Sequence, residues 1–114
     1  MTRIVHDDDD VLATDVTVAD SFLAKARGLM FRRSFPDGAA LVFPFDGAGP
    51  RTLHMVGVPF DIDALWLRDG RVERVARLSA WTGLGRATAD TVIELPVGAA
   101  DGVEAGDAVR IEGA

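Results

Sequence analysis

The chain has 114 residues, 48% of them apolar, with a formal net charge of −6 and no cysteine. That length suits one domain, with a core able to hide roughly two-thirds of the unfolded surface from water. The composition excludes disulfides, cysteine–zinc sites and thiol chemistry, and no apolar run approaches the roughly 18 residues needed to span a bilayer.

The charge pattern says more than its sum. Lys25 is the sole lysine, every other basic side chain is arginine, and the acidic residues are mostly Asp. Such a surface stays hydrated where salt screens electrostatics, the condition of a halophilic archaeon's cytoplasm. Codon bias toward Arg, Ala and Gly gives the same pattern. A pI near 4.7 argues against a nucleic-acid partner, since phosphate binding needs a basic footprint. The start, MTRIVHDDDD, runs from a few apolar residues straight into four aspartates. It is unlike a signal peptide, so a cytoplasmic location is expected.

In chain order, residues 3–5 form a short strand candidate and residues 7–10 a self-repelling exposed turn. Residues 11–19, VLATDVTVA, alternate in part and predict one strand. Asp20 is placed as an N-cap for a helix over 21–27, with Phe22, Leu23 and Ala26 at helical spacing and Gly28 as its stop. Leu29, Met30 and Phe31 then enter the core. Pro36-Asp37-Gly38 is a turn. Residues 39–45, AALVFPF, predict a strand buried on both faces, with Pro44 marking an edge or a bulge. Residues 46–51, DGAGPR, predict a loop.

Residues 53–58 predict a strand that Pro59 interrupts. Residues 63–68 predict the next, with Leu65 and Leu67 on one face and Ala64 and Trp66 on the other. Asp69-Gly70 is a hairpin signal. In residues 71–78 the alternation slips, which a bulge near residues 73–75 reconciles. Residues 79–89 lack periodicity and predict a loop long enough to be functional. Residues 91–95 are a strand, 97–105 a Gly- and Ala-rich connection with room for one helical turn, and 107–112 a closing strand. Many short strands, frequent turns and one short N-terminal helix predict a compact, mainly-β, single-domain barrel or sandwich.

Several of these segments together resemble the domain-of-unknown-function family number 192. That family has a helix ending Arg-Gly-Leu-Met, matched by Arg27, Gly28, Leu29 and Met30, and an apolar strand matched by Leu41, Val42 and Phe43. A Trp-Met-Lys-Asn-Thr segment, a Pro-Leu-Asp, a hydrophobic strand and an Asp-Gly turn follow in the family; here Met55, Asp63, residues 64–67 and Asp69-Gly70 take those places. Glu94-Leu95-Pro96-Val97-Gly98 and Gly106-Asp107-Ala108-Val109 match its late motifs. The resemblance covers residues 16–111 and implies a compact mainly-β domain without an established activity. Three positions depart from it. His54 replaces the tryptophan, Asp61 stands at the proline, and Val56-Gly57-Val58 replaces the polar Lys-Asn-Thr, which makes any shared pocket more apolar.

Candidate chemistry centres on residues 52–70. Asp61 and Asp63 would share one side of a strand, as a carboxylate pair for acid–base work or for a cation. The competing role for Asp63 is to accept from loop amides, with Asp61 solvated. His54 could carry protons or bind metal, but with only His6 besides it a transition-metal enzyme is not expected, and the rim of a pocket suits it better. Arg27 either grips an anion or pairs with Glu94 or Asp63. Glu94 either faces solvent or faces inward and needs a partner, for which Arg27 is the choice. Trp66 is assigned to the core and Trp81 to a cleft. Phosphate-loop, dinucleotide, kinase and Gly-x-Ser-x-Gly patterns are missing. The expectation is therefore a non-catalytic module, without cofactor or metal, binding a small molecule or a peptide through Arg27, His54, Asp63, Trp81 and Glu94. The alternatives are assembly through an exposed edge at 39–45 or 107–112, and a metal-free hydrolase or lyase using Asp63 and His54.

Overall fold

The computed structural model describes residues 2–19, 21, 28–30 and 32–113. Eight strands make up the described chain: β1 (Arg3–His6), β2 (Asp10–Ala13), β3 (Asp15–Val18), β4 (Ala39–His54), β5 (Ile62–Arg68), β6 (Arg71–Leu78), β7 (Leu84–Pro96) and β8 (Val109–Glu112). They form a five-stranded sheet in the order β3-β4-β7-β5-β6 and a three-stranded sheet in the order β2-β1-β8. Only β3 and β4 run parallel. Neither sheet closes on itself, so the barrel form is not realised. The helix expected over 21–27, its cap Asp20 and its terminal Arg27 lie outside the described residues, apart from Ser21. No helix occurs among the described residues.

The larger sheet is covered on both faces, which is why β5 is buried along nearly its whole length. On one face Ala40, Val42, Leu65, Leu67, Ile93 and Leu95 pack under the small sheet's Ile4, Ala13 and Val109, with Ala100 and Val103 from the connection before β8. On the other, Leu41, Phe43, Ala64, Trp66 and Val92 pack under Leu29, Met55 and Val58, with Phe35 and Phe60 at the margin. The expected split of Leu65 and Leu67 from Ala64 and Trp66 follows from the two-residue period of a strand.

The hairpin at Asp69-Gly70 has positive φ at both residues, 52° and 75°, as a type I′ turn requires. The slip in β6 is the expected bulge: Trp66 pairs with Arg74 and Leu67 with Val72, leaving Glu73 as the extra residue.

Four segments differ from expectation. The strand expected over 53–58 stops at His54, and residues 55–58 belong to a loop. Residues 11–19 are not one strand. The chain changes sheets at Thr14, where the amides of Thr14 and Asp15 both donate to the Gly38 carbonyl, at 2.9 Å each. Pro44 marks a bulge, because β4 continues past it to His54, so residues 46–51 are strand rather than loop. Pairing jumps from Pro44↔Thr91 to Gly49↔Ala89, and Arg51 secures the excursion by donating to the carbonyls of Gly47 and Ala89 and lying 3.8 Å over the Phe45 ring. Residues 84–89, expected as loop, are the matching half of β7. Beyond the bulge β4 and β7 form a two-stranded ribbon that bends over the second core. Leu53 and Ala87 pack against that core, and the Trp66 indole N–H donates to the Arg51 carbonyl at 2.9 Å. Burying an indole removes on the order of 200 Å² from water, about 5 kcal/mol at roughly 25 cal/mol per Å².

Candidate functional site

The ribbon ends at two loops, residues 55–61 and 79–83. Their backbones are tied: Met55 N–H donates to Gly83 O and Trp81 N–H to Val58 O, both at 3.0 Å, while His54 pairs with Leu84 across the strands. Ala80 N–H donates to the Asp61 carboxylate at 2.8 Å, so Asp61, exposed to solvent, also fixes the loop. Trp81 is held at φ 66°, a left-handed conformation that costs a bulky residue strain. Val56 is 60% exposed, Trp81 60% and Leu84 68%, the three highest values for large apolar side chains among the described residues. His54 is exposed beside them, its Nδ1 accepting from Val56 N–H at 3.3 Å. Arg86 lies two residues beyond Leu84 on the ribbon's outer face, exposed.

Asp63 is elsewhere and occupied. Its carboxylate accepts from Arg77 at 2.9 Å and from the amides of Gly98 and Ala100 at 3.0 Å. It is 2% exposed, and Arg77 also binds Asp101. Asp63 thus takes the loop-holding role, pinning the connection after β7 to the sheet. It shares no hydrogen bond with His54 or Asp61.

Glu94 faces inward, 4% exposed. It pairs in register with Ala64, so it lies on the opposite face of the sheet from Asp63. Its Oε1 has no hydrogen-bond partner among the described residues. Burial pushes its pKa up to about 7, against a smaller downward pull from the Arg32 charge. Arg27, the partner expected for it, lies outside the described residues. Of the residues expected to share one pocket, the structure sets His54 and Trp81 at the ribbon end, and Asp63 and Glu94 on opposite sides of the larger sheet.

His6, which entered the sequence reading only as the chain's other histidine, is 5% exposed. Nδ1 is 3.0 Å from Asp10 Oδ2, and Nε2 is 2.8 Å from Asp107 Oδ2 and 3.3 Å from Asp7 Oδ2. Burial pulls its pKa down, but the bonds to Asp10 and Asp107 and the charges of Asp7 and Asp107 outweigh it, and the net movement is upward. A histidine ending an apolar strand triplet just before an aspartate run was the available signal. Asp107, 101 residues away, was beyond reach of sequence spacing.

A family model described as DUF192: Uncharacterized ACR matches residues 3–111. Two solved structures are similar. One, from Sinorhizobium meliloti 1021 and described as a proposed transcription regulator, is 21% identical with a TM-score of 0.80, over 96% of this chain and 90% of that one. The other, a protein of unknown function from Novosphingobium aromaticivorans DSM 12444, is 22% identical with a TM-score of 0.78, over 95% and 83%. At such identities the likeness concerns the fold alone. No curated protein matches the chain.

Proposed function

The chain belongs to the uncharacterised family DUF192, and from that premise we propose that it is a non-catalytic binding module whose ligand is a peptide segment of another protein. The observation that carries this is that the three most exposed large apolar side chains all fall at the ribbon end, Val56 and Trp81 on two loops whose backbones are hydrogen-bonded together and Leu84 at the first position of β7, paired with His54. An exposed apolar patch costs solubility and marks a contact surface. Side chains this exposed cannot enclose a small molecule, which needs most of its surface buried. A peptide lying across them can be gripped by an aromatic anchor. Arg86 has no side-chain partner among the described residues and adds a charge at the margin. The favoured segment is therefore apolar with an acidic residue. The exposed-edge assembly alternative is weaker at 39–45, because Ala39 and Ala40 pair with β3, Leu41 and Val42 with both β3 and β7, and Phe43 and Pro44 with β7.

Selection from a displayed peptide library tests this. Chosen peptides should shift Trp81 emission to the blue. Trp81→Ala and Leu84→Ser should each weaken them about thirtyfold, the size expected of an anchor, with the circular dichroism unchanged. Arg86→Ala should weaken only the acidic ones. Failure to select any peptide, or binding indifferent to Trp81 and Leu84, overturns the reading.

A further inference from the structure

Far from that patch in the chain, the small sheet carries a second cluster. We propose that His6, Asp7 and Asp107 bind one divalent transition-metal ion, through Nε2 and one carboxylate oxygen from each aspartate, with Asp10 as the group that orients the histidine.

The donor geometry is the first argument. The three ligand atoms all lie within 4.8 Å of one another, and Nε2 is 2.8 and 3.3 Å from the two carboxylate oxygens. Ligands about 2.0–2.2 Å from a common zinc-sized ion, at tetrahedral or octahedral angles, are themselves roughly 3–3.5 Å apart. Small adjustments of exposed Asp7 would therefore suffice.

Orientation is the second. The Asp10 carboxylate holds Nδ1 at 3.0 Å, so that nitrogen carries the proton and Nε2 is directed at Asp7 and Asp107. This is the carboxylate–histidine arrangement that fixes the tautomer of metal-bound imidazoles. A neutral Nε2 lone pair facing two carboxylates is repulsive. Something positive must stand between them, and only a proton or a metal ion fits.

Charge and rigidity complete the case. With His6 protonated, three carboxylates still leave the cluster at −2; the Arg71 charge offsets part of this at Asp107, but neither Arg71 nor Arg110 forms a salt bridge to Asp7, Asp10 or Asp107. Arg71 donates to the Gly106 carbonyl, and Arg110 to Glu112 and to the carbonyls of Asp7 and Asp8. The backbone is fixed where the ligands need it: Asp7 N–H donates to Ala108 O at 2.8 Å, and Glu104 N–H holds Asp107 Oδ2 at 2.9 Å. Counting histidines in the sequence missed this set because two of its three ligands are oxygen. One nitrogen and two oxygens suit Zn²⁺ or Mn²⁺ better than Mg²⁺. Binding displaces the Nε2 proton to buffer.

The test is calorimetric titration of the full chain, without a polyhistidine tag and stripped with chelator, with Zn²⁺, Mn²⁺ and Mg²⁺ at pH 7.5 and 5.5. Zn²⁺ should bind one to one, release a proton on changing the buffer's ionisation enthalpy, and weaken at least about tenfold at pH 5.5. Asp7→Asn and Asp107→Asn should each weaken it at least about tenfold, and Asp10→Asn about ten- to a hundredfold, while His54→Gln leaves it intact. Asp7 is exposed, so its variant stays informative even if His6→Gln does not fold. No binding by the wild type, or binding that survives in both Asp7→Asn and Asp107→Asn, overturns the proposal.

Discussion

Two buried side chains make the protein's stability depend on pH in separable ways. Glu94 has its folded pKa raised to about 7, chiefly by burial. The native state therefore holds a proton that the unfolded chain gives up first, and stability falls as pH climbs from about 4.5 to 7, then levels. The full shift corresponds to about 3 kcal/mol at roughly 1.4 kcal/mol per unit. Glu94→Gln should recover most of it at pH 8 and almost none at pH 4, as read by urea unfolding. His6 also has a raised folded pKa. Its contribution is complete below 6.5 and is lost as pH rises through the folded value. In metal-free buffer, His6→Gln should therefore flatten the decline above pH 6.5 and leave the Glu94 step in place. If the variant's unfolding midpoint falls above pH 6.5 just as the wild type's does, protonated His6 does not stabilise the fold. Of these two residues, the sequence offered Glu94 as an acid in an apolar strand but not which face it took. The decisive information was the register of β7 against β5.

At the scale of elements, the bent ribbon of β4 and β7 determines what can stand over Trp66. Gly85 lies so close that an added Cβ would be 2.7 Å from the indole and 3.3 Å from Leu78. Gly85→Ala should cost about 1–3 kcal/mol through overpacking and also displace Leu84, so thermal unfolding and peptide binding should weaken together. An unchanged midpoint would mean that the ribbon is not pressed on the core. This ribbon was the part of the fold least legible in the sequence, for a physical reason. DGAGPR carries two glycines and a proline, each unfavourable in strands, and tertiary pairing with residues 84–89 overrides them. Local rules succeeded where geometry is local: the Asp69-Gly70 turn, the β6 bulge and the alternation of β5. They failed where the partner is distant, as at Thr14, whose break depends on the carbonyl of Gly38.

For the whole molecule, charge is the lever. The described chain spans 34 × 29 × 25 Å under a net charge of −6. Repulsion across such a body is felt at low ionic strength, where the Debye length is about 30 Å at 0.01 M, and vanishes near 1 M, where it is about 3 Å. Exposed pairs such as Arg3 with Glu112 are individually worth little. The unfolding midpoint at pH 7.5 should therefore rise with sodium chloride up to about 1 M. A midpoint that falls would show that attractive pairs outweigh the repulsion. No helix among the described residues is long and apolar enough to cross a membrane. Asp63, one half of the acid–base pairing considered from the sequence, accepts from Arg77 and two amides and shares no hydrogen bond with His54.

The pairing of Arg3 with Glu112 carries a consequence for how the protein is made. During synthesis β1 meets β2 first, since its other neighbour is encoded 109 positions later. The nascent hairpin must wait, one edge unfilled, while the larger sheet assembles behind it. Its tip of four consecutive aspartates carries like charge that repels other copies of the chain.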